Sequence, residues 1–117
     1  MSYLLLVIEP PGQRAARSRA EGEEVFAQML RFADDLKARG MLQGVNSLVS
    51  DISGVRVQVR AGRCRLLDGP FAEAKEMVGG YFLLDCTTLE EAVAIAAQCP
   101  AAAWATVEVR ETGPCHL

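Results

Sequence analysis

The stretch DGPFAEAKEMVGGYFLLDC, Asp68 to Cys86, decides how the chain is read. It must turn at Gly69-Pro70, because Pro70 fixes its own φ, lacks an N–H and pushes Gly69 toward an extended conformation. Asp68 can accept hydrogen bonds from backbone amides just beyond it, as in an Asx-turn. Phe71 is then expected to anchor the loop in the core. Ala72 to Met77 is short and helix-favouring, so that Glu73 and Glu76, or Glu73 and Met77, can share a face. Gly79-Gly80 permits close approach of backbone. Gly80 to Cys86 resumes as a strand, with Phe82, Leu84 and Cys86 on one face and Tyr81, Leu83 and Asp85 on the other.

Working toward the N-terminus, Val55, Val57 and Val59 alternate with Arg56, Gln58 and Arg60. That period of two predicts a strand with one apolar face. Ala61-Gly62 turns it into a hairpin whose second arm is Arg63 to Leu67. Met41 to Ser53 reads as a connector, with Gly44, Asn46 and Asp51 as turn formers. Ser18-x-x-Glu21 is a capping box, and apolar residues then recur at helical spacing to Leu36, which predicts a helix from Arg19 to Arg39. Tyr3 to Glu9 is a central strand, apolar on both faces, ended by Pro10-Pro11. Toward the C-terminus, Thr88-x-x-Glu91 caps a helix from Leu89 to Cys99, stopped by Pro100, and Ala103 to Arg110 is the last strand.

The predicted order is β-α-β-(hairpin strand)-β-α-β. It implies an α+β, ferredoxin-like sandwich: an antiparallel sheet with an inserted β-hairpin and both helices on one face. Residues 1–112 form one domain and 113–117 a C-terminal tail. The opposite sheet face is expected to mix Tyr3, Tyr81 and Trp104 with Arg56, Arg60, Glu108 and Arg110. Such a face is too apolar to stay bare, so a homodimer through the sheet face is expected, with a cleft beside it.

Composition narrows the function. The 117 residues carry a net charge of -3, and ten arginines are spread along the chain rather than gathered in a patch, which argues against nucleic acid. The apolar run Tyr3 to Ile8 is too short for a signal peptide or a membrane span, so a cytoplasmic protein is expected. Cys64, Cys86, Cys99 and Cys115 show no metal-ligand spacing and His116 lies in the tail, so no metal and no cofactor are expected. Glycine-rich phosphate loops are also absent.

The acids and the lysine after the turn are the candidate chemistry. Asp68, Glu73 and Lys75 are the candidate catalytic residues: a carboxylate with a raised pKa to move a proton and an amine to hold an anion. Glu76, Tyr81 and Arg110 are the candidate ligand-binding residues. The competing reading makes the stretch a surface turn feeding a strand, with Tyr81 filling the sheet face.

Asp68-Gly-Pro-Phe71, followed by Glu73, Lys75-Glu76 and Gly79-Gly-Tyr81, resembles the signature of the DGPF group of the YCII-related proteins. Tyr3-Leu-Leu-Leu-Val7, Glu90-Glu-Ala92, Ala97-x-Cys99-Pro100 and Val107-Glu-Val-Arg110 extend the resemblance over nearly the whole chain. It implies a dimeric α/β barrel fold and a largely unassigned role. Relatives in the wider superfamily use a His-Asp pair, and some carry out lyase or isomerase chemistry on small ring compounds; this chain has no histidine near a strand end. Ile8-Glu9-Pro10-Pro11 also departs from the family's tyrosine-glycine-acidic pattern, and Asn46 stands where relatives often have glutamate. The expectation is a protein that binds a small polar or aromatic metabolite in a dimer-associated cleft, with acid/base lyase or isomerase chemistry within reach. The alternative is a non-catalytic ligand- or partner-binding module tied to an extracytoplasmic-function sigma factor, a link implied by the resemblance alone.

Overall fold

A computed structural model describes residues 2–117. Strands β1 (Tyr3–Glu9), β2 (Leu42–Ser47), β5 (Met77–Leu84) and β6 (Thr106–Glu111) form one sheet in the order β2-β5-β1-β6, and β3 (Val55–Arg60) and β4 (Arg63–Asp68) form a separate hairpin. Every neighbouring pair is antiparallel. Helices α1 (Arg19–Ala38) and α2 (Leu89–Gln98) join one hydrophobic core on a single face of the four-stranded sheet. This is the ferredoxin-like α+β sandwich with an inserted hairpin that the sequence predicts.

Local chemistry sets the helix starts. Ser18 Oγ accepts from the Glu21 N–H at 3.1 Å while Glu21 Oε1 accepts from the Ser18 N–H at 2.9 Å, so two otherwise unpaired amides are satisfied. Thr88 Oγ1 accepts from the Glu91 N–H at 3.2 Å at the head of α2. In the core, Phe32 of α1 meets Phe82 of β5 edge-on, with ring centroids 5.2 Å apart, and Leu5, Leu36 and Leu84 are fully buried around them.

Several local expectations are corrected. The connector Met41 to Ser53 contains the edge strand β2 and a 3-10 turn at Asp51–Ser53. The second strand of the sandwich is therefore β2, and the hairpin lies outside the main sheet. Ala72 to Met77 is a turn rather than a helix, closed by the Ala74 N–H donating to Phe71 O at 2.9 Å. Tyr3 is in phase with Leu5 and Val7 and lies in the core, not on the open face. Trp104 follows a 3-10 turn at Pro100–Ala103 and stands before β6 rather than within it. Arg56 and Arg60 belong to the hairpin, leaving Glu108 and Arg110 as the charged pair on the open face, 3.3 Å apart.

The Asp-Gly-Pro-Phe stretch is a hinge seat for the hairpin. The Gly69 N–H donates to Gly54 O at 2.8 Å, and a side chain at Gly69 would collide with the carbonyl of Asp51. Phe71 is half-buried, not in the core, and the Arg56 guanidinium lies 3.9 Å from its ring centroid.

Candidate active site at the end of the first strand

Glu9 is the last residue of β1 and continues the inward phase of Tyr3, Leu5 and Val7. It is 2% exposed, the buried acid of an otherwise apolar row. A buried carboxylate needs a partner. Arg14 supplies one in a two-pronged contact, with Nε donating to Oε1 at 3.0 Å and Nη2 donating to Oε2 at 2.7 Å. The Arg14 guanidinium also donates to Leu48 O at 2.7 Å and to Gly79 O at 3.3 Å. It thus ties the loop after β1 to the end of β2 and the start of β5. The hydrogen bond to Glu9 raises the Arg14 pKa above its usual value against the opposing effect of burial.

Gly79 makes room for this pair. The β1–β5 register shifts between Val7 and Ile8, where Val7 faces Gly80 and Ile8 faces Val78, so Gly79 is the extra residue of a bulge. A side chain there would overlap Glu9 Oε2 and crowd the Arg14 guanidinium. Gly80 lies against the Asn46 carbonyl for a similar reason.

The pair closes one end of a cavity of about 680 Å³ between α1 and the sheet. Its body is apolar, with Phe26, Met29 and Leu30 from the helix and Val45, Leu48 and Val49 from β2 and the following loop. Arg17 and Trp104 complete the polar end, with the Arg17 guanidinium carbon 4.5 Å from the Trp104 ring centroid. Gln13 holds this corner by donating from Nε2 to the Trp104 carbonyl. Trp104 Nε1 and Gln13 Oε1 are buried and without a protein partner among the described residues.

Of the residues singled out from the sequence, Tyr81 lines this cavity and the others are placed elsewhere. Lys75 and Glu76 are exposed and line a second, shallower hollow of about 330 Å³ with Ile8, Pro10, Trp104 and Thr106. Asp68 and Glu73 are exposed beside the hairpin base. Tyr81 lies on the open sheet face, where its hydroxyl accepts from Asn46 Nδ2 at 2.9 Å. Arg110 is paired with Glu108. The structure brings Lys75 and Glu76 together in the second hollow, while Tyr81 lines the first. The cluster of Glu9, Arg14 and Arg17 was missed. Its signal was available: an acid in phase with a buried strand face needs a partner, and an arginine follows five residues later.

The YCII-related domain matches residues 1–114. The chain belongs to the YCII-related family. An uncharacterised protein of Rhizobium meliloti (strain 1021) is 32% identical to this YCII-related chain over 93 residues, covering 80% of it and 75% of the relative. Among solved structures, the 5-chloro-2-hydroxyhydroquinone dehydrochlorinase of Burkholderia phenoliruptrix AC1100, in complex with 2,5-dihydroxybenzoquinone, is similar at a TM-score of 0.55 and 18% identity, over 97% of this chain and 94% of that one. The likeness is one of fold. Among the described residues no helix is long and apolar enough to cross a membrane.

Proposed function

We propose that this YCII-related chain binds a small ring-shaped metabolite in the cavity beneath α1. The reading is carried by the build of that cavity: an aliphatic and aromatic body closed at one end by a buried, hydrogen-bonded Glu9–Arg14 pair. A volume of about 680 Å³ suits a small molecule, since such sites span about 300–1,000 Å³. An apolar wall with a few fixed polar groups is also the usual composition of a ligand site. The fold shared with a dehydrochlorinase solved with a dihydroxybenzoquinone supports a planar ring as the shape.

Lyase or isomerase chemistry on such a ring would fall to Glu9, the carboxylate in the cavity wall, held in place by Arg14. A second copy of the chain on the open sheet face belongs to the same proposal. Leu4, Leu6, Ile8, Tyr81 and Leu83 form a half-exposed apolar row there. Lys75 and Glu76 would then stand at the edge of a dimer-associated cleft. A partner-binding module, such as one acting with a sigma factor, is the second reading. It is favoured by the hairpin, where Val55, Val57, Val59 and Leu66 expose one continuous apolar face.

Calorimetry and thermal melting with 2,5-dihydroxybenzoquinone and related ring compounds test the first reading. Saturable heat and a raised Tm are expected. At a hundredfold excess over Kd, mass action adds about 2.7 kcal/mol of stability. Leu30→Trp, which places bulk in the cavity, should abolish both. Absence of binding by every ring compound, or binding that survives Leu30→Trp unchanged, would move the function to the hairpin.

A further inference from the structure

The charges around the cavity do not cancel. Glu9 is neutralised by Arg14, whose guanidinium already spends four donor contacts on Glu9, Leu48 and Gly79. Arg17 is different. Among the described residues no carboxylate oxygen lies within 4.0 Å of its guanidinium. Glu21, four residues on, has a side-chain oxygen committed to the Ser18 N–H at 2.9 Å. The Arg17 side chain nevertheless keeps a fixed place, stacked on Trp104 at the cavity wall. Stacking on a ring face orients a guanidinium while leaving its in-plane N–H groups free to donate. Beside it, Trp104 Nε1 is a further donor without a protein acceptor. Arg17 also helps to hold the Glu21 pKa down, but no carboxylate is seated on its guanidinium, so this end of the cavity offers a cation with unused donors.

Resting on the cavity being a ligand site, we infer that its ligand is an anionic ring compound, bearing a carboxylate or a phenolate. Arg17 receives the anionic group and the ring lies along Phe26, Met29 and Leu30. A cationic ring compound would meet Arg17 with like charge and leave its donors unpaired.

The test uses three ring compounds of one shape and different charge: 2-naphthoate, 2-naphthamide and 2-naphthylmethylammonium. Binding is read by calorimetry and by the fluorescence of Trp104, the chain's single tryptophan. The anion should bind about tenfold more tightly than the neutral amide, the scale that a charge-assisted hydrogen bond adds over a neutral one. The cation should bind most weakly. Arg17→Gln should bring the anion down to the level of the amide. Arg17→Lys should keep most of the preference for the anion. Equal binding of naphthoate and naphthamide by the unaltered protein overturns the charge assignment and leaves the cavity reading standing. So does a preference for the anion that survives Arg17→Gln. Failure of all three compounds to bind overturns both.

Discussion

The carboxylate of Glu9 occupies the space that a side chain at Gly79 would fill. One residue is the last of β1 and the other is the bulge of β5, so the fit couples strand register to the buried charge. Gly79→Ala must either push Glu9 off Arg14 or open the bulge. A loss of about 2–4 kcal/mol is expected, the range for a disrupted buried network. Urea denaturation followed by circular dichroism measures it. Gly22→Ala is the contrast. Nothing lies within 4 Å of a β-carbon there, in the first turns of α1, so it should stabilise by about 0.5–1 kcal/mol.

Removing either partner of the ion pair leaves the other stranded. Glu9→Gln and Arg14→Met should each cost about 2–3 kcal/mol. That is below the full range for a buried pair, because about a third of the Arg14 side chain remains in contact with solvent (34%). Glu9→Gln combined with Arg14→Met should cost less than the two losses together, since no charge is then left unpaired. A double-mutant cycle in urea gives the coupling, and additivity would deny it. The pair should also resist alkali. The raised pKa of Arg14 keeps its contribution present at every pH below its usual ionisation range, and it is lost only as the pH climbs through the raised value.

The sandwich was legible because its signals are local. Capping boxes at Ser18 and Thr88, the alternation of Tyr3 to Glu9 and the stop at Pro100 each act within a few residues. The strand β2 was not legible, since Gly44 and Asn46 suit turns and an edge strand needs few apolar residues to hold its place. The hairpin misled for the opposite reason. Its period of two is strong, but periodicity says that a strand has an apolar face and not which surface that face meets. The site was obscured in the same way. Glu73, Lys75 and Glu76, crowded together after the turn, draw attention, yet they lie in an exposed loop. Glu9 and Arg14 sit apart, and only the bulge at Gly79 shows the space made for them.

The four thiols should divide by burial. Cys64 and Cys115 are exposed, while Cys86 and Cys99 are buried, and burial pushes the pKa of both buried thiols up. At pH 8 a disulfide reagent such as Ellman's should modify two thiols quickly and the other two only when the protein unfolds. The same shifts carry a stability consequence. The unfolded thiols ionise near pH 9.0 and the folded ones above it, so the unfolded state is favoured as the pH rises past 9.0. Cys86→Ala and Cys99→Ala should flatten that alkaline decline, and a decline unchanged in both would contradict the burial argument.

The open sheet face gives the last prediction. The row of Leu4, Leu6, Ile8, Tyr81 and Leu83 faces away from both helices and is only half-covered within one chain. In a two-fold pairing each residue on this surface meets the same surface of the second copy, so one new charge appears twice at the contact. Leu6 lies on the central strand, between Tyr81 of β5 and Glu108 of β6. Leu6→Glu should therefore convert a dimer to monomers in sedimentation velocity, with like charges brought close together and beside Glu108. The monomer should keep its helical circular dichroism, because Leu6 points away from the core that Leu5 and Val7 fill. Substituting Val57→Lys on the hairpin should leave this association unchanged. If Val57→Lys dissociates the dimer and Leu6→Glu does not, the hairpin rather than the sheet face joins the copies.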